Sequence, residues 1–388
     1  MKKYRLLLAS FLLLFILPLI TSYMKWDGFP PMYGEFPAQE VTKPPLPGFN
    51  IYYFSFGVFV ALVITVFLVF PQLFGFKKPT RGAKTKLVPW PSWFKPALIV
   101  WLVSWFLMWL RPENLFNIDH FTFVPLWWGF IFVLDAIVYR RNNGVSLWSS
   151  KPKTMRNLAL VSSISWFVFE YQNFFVLANW YYPNNHILTN FGNISWQLLS
   201  YTTVLPAIFE WYWFLKTFRR INNRYKNGPV ISFSKPVLYL LLCCGLILIA
   251  LMGYFPYPLF WVLWVSLTPV LIPAMNLSKL WTPFNEISTK GDWSPVLLIA
   301  IATMLNGFFW EFWNFGSELI HSTPPTNPNY WKYSVPYLDV GHHIFSEMPV
   351  LGYFGYLFFG IGCWALWLTI SYFFGIDPSI ELKQESKK

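Results

Sequence analysis

Charge is what this chain most lacks: only 12% of its 388 residues are charged, and just 17 are acidic. Soluble domains carry about 25% charged residues, so a water-facing globular surface is excluded. Cysteine is nearly absent. Cys243, Cys244 and Cys363 all fall inside apolar stretches, which leaves no disulfide framework and no Cys-x-x-Cys metal or redox motif; packing accounts for them. The sequence also has no P-loop, dinucleotide fingerprint, Gly-x-Ser-x-Gly elbow or Asp-rich prenyl-diphosphate motif. Those chemistries have no support, and no cofactor is expected.

What is present is apolar. The chain is 55% hydrophobic and 22% aromatic, with a mean hydropathy of +0.42. Apolar runs fall near 4–20, 50–74, 96–110, 123–139, 157–179, 196–218, 236–256, 257–275, 295–318 and 346–374. Each approaches the ~20 residues needed to cross a bilayer core, which predicts an all-α, polytopic integral membrane protein with about ten transmembrane helices. With the N-terminus inside, 24 of the 29 basic residues fall in inner segments, and only Lys25, Lys43, Arg111 and Lys332 in outer loops. That split follows the positive-inside rule and places both termini in the cytoplasm, with a bacterial cytoplasmic (inner) membrane as the expected location. The net charge of +12 is therefore topology rather than a nucleic-acid footprint. The first run has signal-peptide proportions, but no small-x-small site follows at Thr21-Ser-Tyr-Met, so an uncleaved anchor is expected.

Residues 1–95 form an N-terminal extension of two helices, a proline-rich outer segment at 21–49 that runs as an extended strap, and a basic inner loop. Two four-helix units follow, 96–228 and 236–375, and a cytoplasmic tail, 376–388. The division rests on recurring motifs. Trp166-Phe-Val-Phe-Glu170-Tyr-Gln-Asn173, Trp180-Tyr-Tyr182 and Leu205-Pro206 through Glu210 are echoed by Trp310-Glu311-Phe-Trp-Asn314, Trp331-Lys-Tyr333 and Glu347-Met-Pro349. An even number of spans per unit makes the copies parallel, related by an axis along the membrane normal. No Gly- or Pro-interrupted helix pair stands at matching positions in the two units.

Carboxylates at membrane depth are costly and commonly functional. Residues three apart share a helix face, so Glu170 projects with Asn173 and Glu311 with Asn314. Each Asn is expected to hold one carboxylate oxygen, and the two glutamates to meet near the repeat axis as an acid/base pair. The structural alternative is an interhelical hydrogen bond to indole or tyrosine hydroxyl groups. Glu210, four residues after Pro206, is a candidate auxiliary acid if the proline bends its helix inward. Asp135 reads as a salt-bridged or snorkelling residue beside Arg140. Trp180, Tyr182, Trp331 and Tyr333 are either interfacial anchors or the lid of a substrate cavity, with Pro206 and Pro349 beside them. His342, His343 and Glu347 are weak metal candidates, since no Glu-x-x-His or His-x-x-x-His pattern supports them.

The motifs resemble those of the heterodimer-type lycopene cyclases and related membrane carotenoid enzymes. Trp180-Tyr-Tyr182 with Pro206 through Phe214, and Trp331-Lys-Tyr333 with Pro349 through Phe359, are similar to that family's Trp-x-Tyr loop followed by Pro-x-Glu-Glu and aromatic pairs. The first copy departs in having one glutamate, the second in having none after Pro349, and the units hold four spans rather than three. The chain looks closer still to a set of uncharacterised bacterial polytopic proteins with a Trp-Glu-Phe-Trp-Asn motif, which implies no activity. The leading expectation is a membrane-embedded enzyme acting on an isoprenoid or other lipid by proton transfer. Alternatives are a proton-coupled lipid or small-molecule transporter and a membrane scaffold or biogenesis factor. The expected partner is a membrane lipid or isoprenoid, not nucleic acid.

Overall fold

The computed structural model describes residues 2–79, 86–112, 117–319, 325–339 and 346–382. It is 66% helical with almost no sheet. In chain order the helices are α1 (Arg5–Trp26), α2 (Ile51–Val69), α3 (Phe94–Leu110), α4 (Phe123–Arg141), α5 (Leu147–Ser150), α6 (Pro152–Phe174), α7 (Asn190–Tyr201) and α8 (Val204–Lys216). They continue with α9 (Arg219–Arg224), α10 (Lys235–Tyr254), α11 (Val262–Val265), α12 (Leu267–Leu277), α13 (Phe284–Lys290), α14 (Ser294–Leu319) and, after a 3-10 turn at Val350–Phe354, α15 (Gly355–Phe374). Two short strands, β1 (Trp180–Tyr181) and β2 (Lys332–Tyr333), pair antiparallel.

Among the described residues six segments are long and apolar enough to cross a membrane: α1, α2, α4, α10, α14 and the Val350–Phe374 stretch. The molecule is thus a helical membrane protein. Segments α3 and Val262–Leu277 are apolar but shorter. The apolar run at 196–218 is two helices, α7 and α8, broken at Thr202 and Thr203.

Four helices form the centre: α6 packs on α8 and α15, and α14 packs on α8 and α15. Outside them α3 packs on α4 and α4 on α8, while α10 packs on α12 and α12 on α15. Trp127, Trp313, Trp364, Trp367 and Tyr212 are fully buried here, so large rings fill the core where lipid offers little hydrophobic drive. Helix α1 lies on α10 and α12, with the backbone at Pro18 against Gly253. Cys363 is buried as a packing residue, whereas Cys243 and Cys244 are exposed on the flank of α10.

Helices α3 and α4 approach closely at Gly129, where a Cβ would lie 2.6 Å from the Trp101 amide nitrogen. That neighbour is backbone and cannot swing aside. Gly129→Leu is therefore expected to lower the unfolding temperature in detergent by overpacking worth about 1–3 kcal/mol. An unchanged melt would contradict the contact.

The proline-rich segment between α1 and α2 contains no helix or strand. Tyr182 N donates to Ala38 O at 2.9 Å, and the Tyr257 hydroxyl donates to Pro44 O at 2.7 Å. The strap thus touches loops of both parts of the chain.

Candidate functional site: two carboxyl cages around one cavity

Spacing explains how each cage is built. Side chains two apart on a strand point the same way, so Trp180 and Tyr182 face one side while Tyr181 faces the other. The Trp180 indole N–H and the Tyr182 hydroxyl both donate to Glu170 Oε1, at 3.1 and 2.7 Å. Trp166, one helical turn before Glu170, adds its indole N–H at 2.9 Å, and the Tyr201 hydroxyl adds a fourth donor at 3.1 Å. In the other half the Tyr333 and Tyr356 hydroxyls donate to Glu311 Oε1, each at 2.7 Å, and Trp331 Nε1 donates to the Tyr333 hydroxyl at 3.0 Å. Glu170 and Glu311 are buried, and their Oε2 atoms have no hydrogen-bond partner among the described residues.

The asparagines do not hold the carboxylates as expected. Asn173 Nδ2 donates to Trp180 O at 2.8 Å and Asn173 Oδ1 accepts from Trp180 N at 3.4 Å. Asn314 repeats this clamp on Trp331, at 2.8 and 3.0 Å. A side-chain amide mimics a peptide group, so it satisfies the loop backbone and leaves the glutamate to the aromatic donors. These residues position the Trp-x-Tyr loop. Its chain path after α6 includes Leu177 and Ala178 at φ of +58° and +56°, a left-handed conformation unfavourable for residues with a Cβ.

The strand pair joins the cages. Trp180 is opposite Tyr333 and Tyr181 opposite Lys332, and Asn179 continues the pairing by accepting from Ser334 N at 2.9 Å and donating to Ser334 O at 2.9 Å. Between the cages lies a cavity of about 70 Å³. It is lined by Trp166, Trp180, Tyr182 and Tyr201 from one and by Trp331, Tyr333 and Tyr356 from the other, with Phe123, Val204, Trp264, Trp310 and Phe359 completing the apolar wall. Phe359 touches both sides, its ring centroid 4.9 Å from Phe169 and 6.3 Å from Tyr356. Each carboxyl stays within its own donors, so the expected close pair becomes two cages facing one space.

The polar wall comes from Gln197, Ser200, Thr203 and Asn329. Asn329 Nδ2 donates to Gln197 Oε1 and Ser200 Oγ, both at 3.0 Å. Above it Asn184 donates to Glu318 at 2.8 Å, and Glu318 pairs with Arg111 at 3.0 Å. Sequence reasoning missed this network because its members lie in five separate segments with no common motif. Tyr201 was missed as well. The helix break at Thr202-Thr203 aims it, and the break needs neither Gly nor Pro because Ser162 Oγ accepts from Leu205 N at 3.0 Å and donates to Tyr201 O. Tyr356 stands at the start of α15, where the 3-10 turn Val350–Phe354 runs directly into the helix.

The remaining candidates fall elsewhere. Pro206 and Pro349 are buried but line neither this cavity nor the larger one described below. Pro206 occupies the third position of α8, where no intrahelical N–H bond is lost, so it does not bend the helix. Glu210 is nevertheless fully buried beside Asp135, with no hydrogen-bond partner for either carboxyl oxygen among the described residues. Asp135 accepts from Ser146 Oγ and from Trp148 N, both at 2.9 Å. Arg140, its expected partner, instead lies over the Trp90 ring at 4.3 Å. Glu347 accepts from the Tyr330 hydroxyl, which burial and that carboxylate push up. His342 and His343 lie outside the described residues, and among those described no group of three metal-ligating side chains occurs.

No family model, curated protein or solved structure matches the chain.

Proposed function

We propose that this protein is a membrane-embedded enzyme that moves protons on a lipid substrate, with Glu311 and Glu170 as the acid–base groups. The observation that carries the reading is the shared geometry of the two carboxyls. Each has one oxygen fixed by aromatic donors, leaves the other without a donor, and belongs to a cage bordering the same cavity. Fixed donors hold the reacting carboxyl in place and stabilise charge as it develops. The other oxygen is the one that would carry the moving proton. A cavity of about 70 Å³ is small against the roughly 300–1,000 Å³ of whole-ligand pockets, so it would take a segment of a chain.

Adding a proton to one carbon of an alkene and removing one from another isomerises it without oxidant or reductant. Aromatic faces around the cavity suit the intervening cation. An isoprenoid is the substrate class that the lycopene cyclase resemblance implies. The apolar wall supports a lipid more generally.

The matched cages also support a duplicated architecture: ten crossings, two parallel four-helix units at 96–228 and 236–375, and a pseudo-two-fold axis passing between Tyr181 and Lys332. The basic inner segments support cytoplasmic termini in a bacterial cytoplasmic membrane. A second reading, proton-coupled transport, draws on two observations: the helix break at Thr202-Thr203 and the additional buried carboxyls Asp135 and Glu210.

Mass spectrometry of co-purifying lipids tests the enzyme reading. Wild type is expected to retain a product and the Glu170→Gln/Glu311→Gln protein its precursor, whether or not a proton gradient was present. Retention of the same bulk phospholipid by both would end the enzyme reading. Dependence on the gradient would favour transport.

A further inference from the structure

Helix α2 stands apart from the body of the protein. It is among the least buried of the membrane-length helices, with 6% of its apolar window inside, and Ala61 is its one buried residue. It is held at its two ends. On the outer side Asn50 N donates to Tyr337 O at 3.0 Å, and the Tyr53 hydroxyl donates to Pro258 O at 2.9 Å. On the inner side Phe67 packs on Phe76 and Trp293, and the Tyr225 hydroxyl donates to Leu68 O at 2.9 Å.

Between these ties runs a second cavity, of about 530 Å³. Tyr53, Phe56, Gly57, Val60, Ala61 and Ile64 line it from α2. Their spacing of three and four residues marks one continuous helix face, about three turns long. Phe260, Trp261, Leu351 and Phe358 form the opposite wall. The lining offers little for water to bind, and the volume lies within the roughly 300–1,000 Å³ of small-molecule sites.

Its inner end is not apolar. Tyr333, Tyr356 and Trp264 line both this cavity and the small one between the cages. The two tyrosines are the groups that hold Glu311. No donor of the Glu170 cage lines the large cavity. The groove therefore leads from the lipid-facing side of the molecule to the tyrosines that hold Glu311 and not to the donors of Glu170.

We propose that this groove binds a single hydrocarbon chain of a membrane lipid and delivers it to the Tyr333–Tyr356–Glu311 cage. The ties at both ends of α2 leave a lateral window through which a chain enters from the bilayer without crossing water. Continuity with the polar cage distinguishes this site from an ordinary lipid-facing furrow, because the chain lies along α2 while its reacting segment meets the tyrosines. The inference rests on the proton-transfer reading for what happens at Glu311, but the binding of the chain stands separately.

The test is photo-crosslinking of the full-length protein in nanodiscs, using phosphatidylethanolamine with a diazirine in one acyl chain. Label is expected on peptides covering 53–64 and 351–358. Gly57→Trp or Leu351→Trp, placed on opposite walls, should each remove it. Phe59→Trp, on the exposed outer side of α2, should leave it intact. Two filling variants guard against misfolding of one, and size exclusion checks both. Label spread evenly over outward residues of α2 and unchanged by either filling variant would overturn the groove. Groove labelling that persists in a protein whose lipids do not respond to Glu311→Gln would keep the binding site while removing the chemistry assigned to it. Loss of labelling with Glu311-dependent conversion intact would do the reverse.

Discussion

Glu170→Ala is expected to cost roughly 3–5 kcal/mol of stability and to lower the unfolding temperature by several degrees or more. Four donors converge on Glu170 Oε1, and three of them, from Trp180, Tyr182 and Tyr201, belong to residues that are themselves buried. An unpartnered buried donor loses about 1–3 kcal/mol, and these cannot all turn to water. Because Trp180 belongs to the strand pair, the loss should reach β2 and the opposite cage. Glu311→Ala should cost less, since among the described residues two hydroxyls donate directly to that carboxyl. Thermal unfolding of purified wild type and both variants, followed by size-exclusion fluorescence, measures the difference. Equal melting temperatures would mean that the donor count does not govern the stability of these cages.

The difference between the cages begins with one position. Trp166 stands four residues before Glu170 and supplies a donor; four residues before Glu311 is Gly307, where a Cβ would strike the Tyr356 ring. A tryptophan there would displace the tyrosine. One cage therefore gathers four donors on a single carboxyl oxygen and lines the small cavity but not the groove. The other is open enough for its tyrosines to border the groove beside α2.

Much of this was legible because it depends on short-range periodicity. Glu-x-x-Asn follows from the helix face, the recurrence of Trp-x-Tyr was visible as a repeated loop motif though not as a strand pair, and the apolar runs follow from the thickness of a bilayer. The function of the asparagines was not legible, because it depends on where the loop backbone returns, seven residues later in one copy and 17 in the other. Tyr201 and Tyr356 escaped for a related reason: one precedes its proline and the other follows it, so aligning Pro206 with Pro349 sets the tyrosines out of register. The Asp135–Glu210 contact joins residues on α4 and α8, and nothing local in either sequence announces the partner. The break at Thr202-Thr203 carries no Gly or Pro because a serine from another helix satisfies the freed backbone.

Glu311→Gln is expected to reduce turnover by about 10²–10⁴-fold, the range associated with loss of a positioned general acid or base. Gln preserves the size of the side chain and presents an oxygen that can still accept from Tyr333 and Tyr356, so the cage and the groove should remain. What it removes is the exchangeable proton on the second oxygen. Glu170→Gln should have a smaller effect on turnover and a larger one on melting, because Glu170 is tied to more donors and lies away from the groove. The opposite ordering in the two measurements separates a chemical role from a structural one, which a simple loss of activity cannot do. The readout is the ratio of precursor to product among retained lipids in each single variant, scored against its unfolding temperature. If turnover falls in proportion to stability in both, the carboxyls are fasteners of the two halves, and the proton chemistry assigned to Glu311 is wrong.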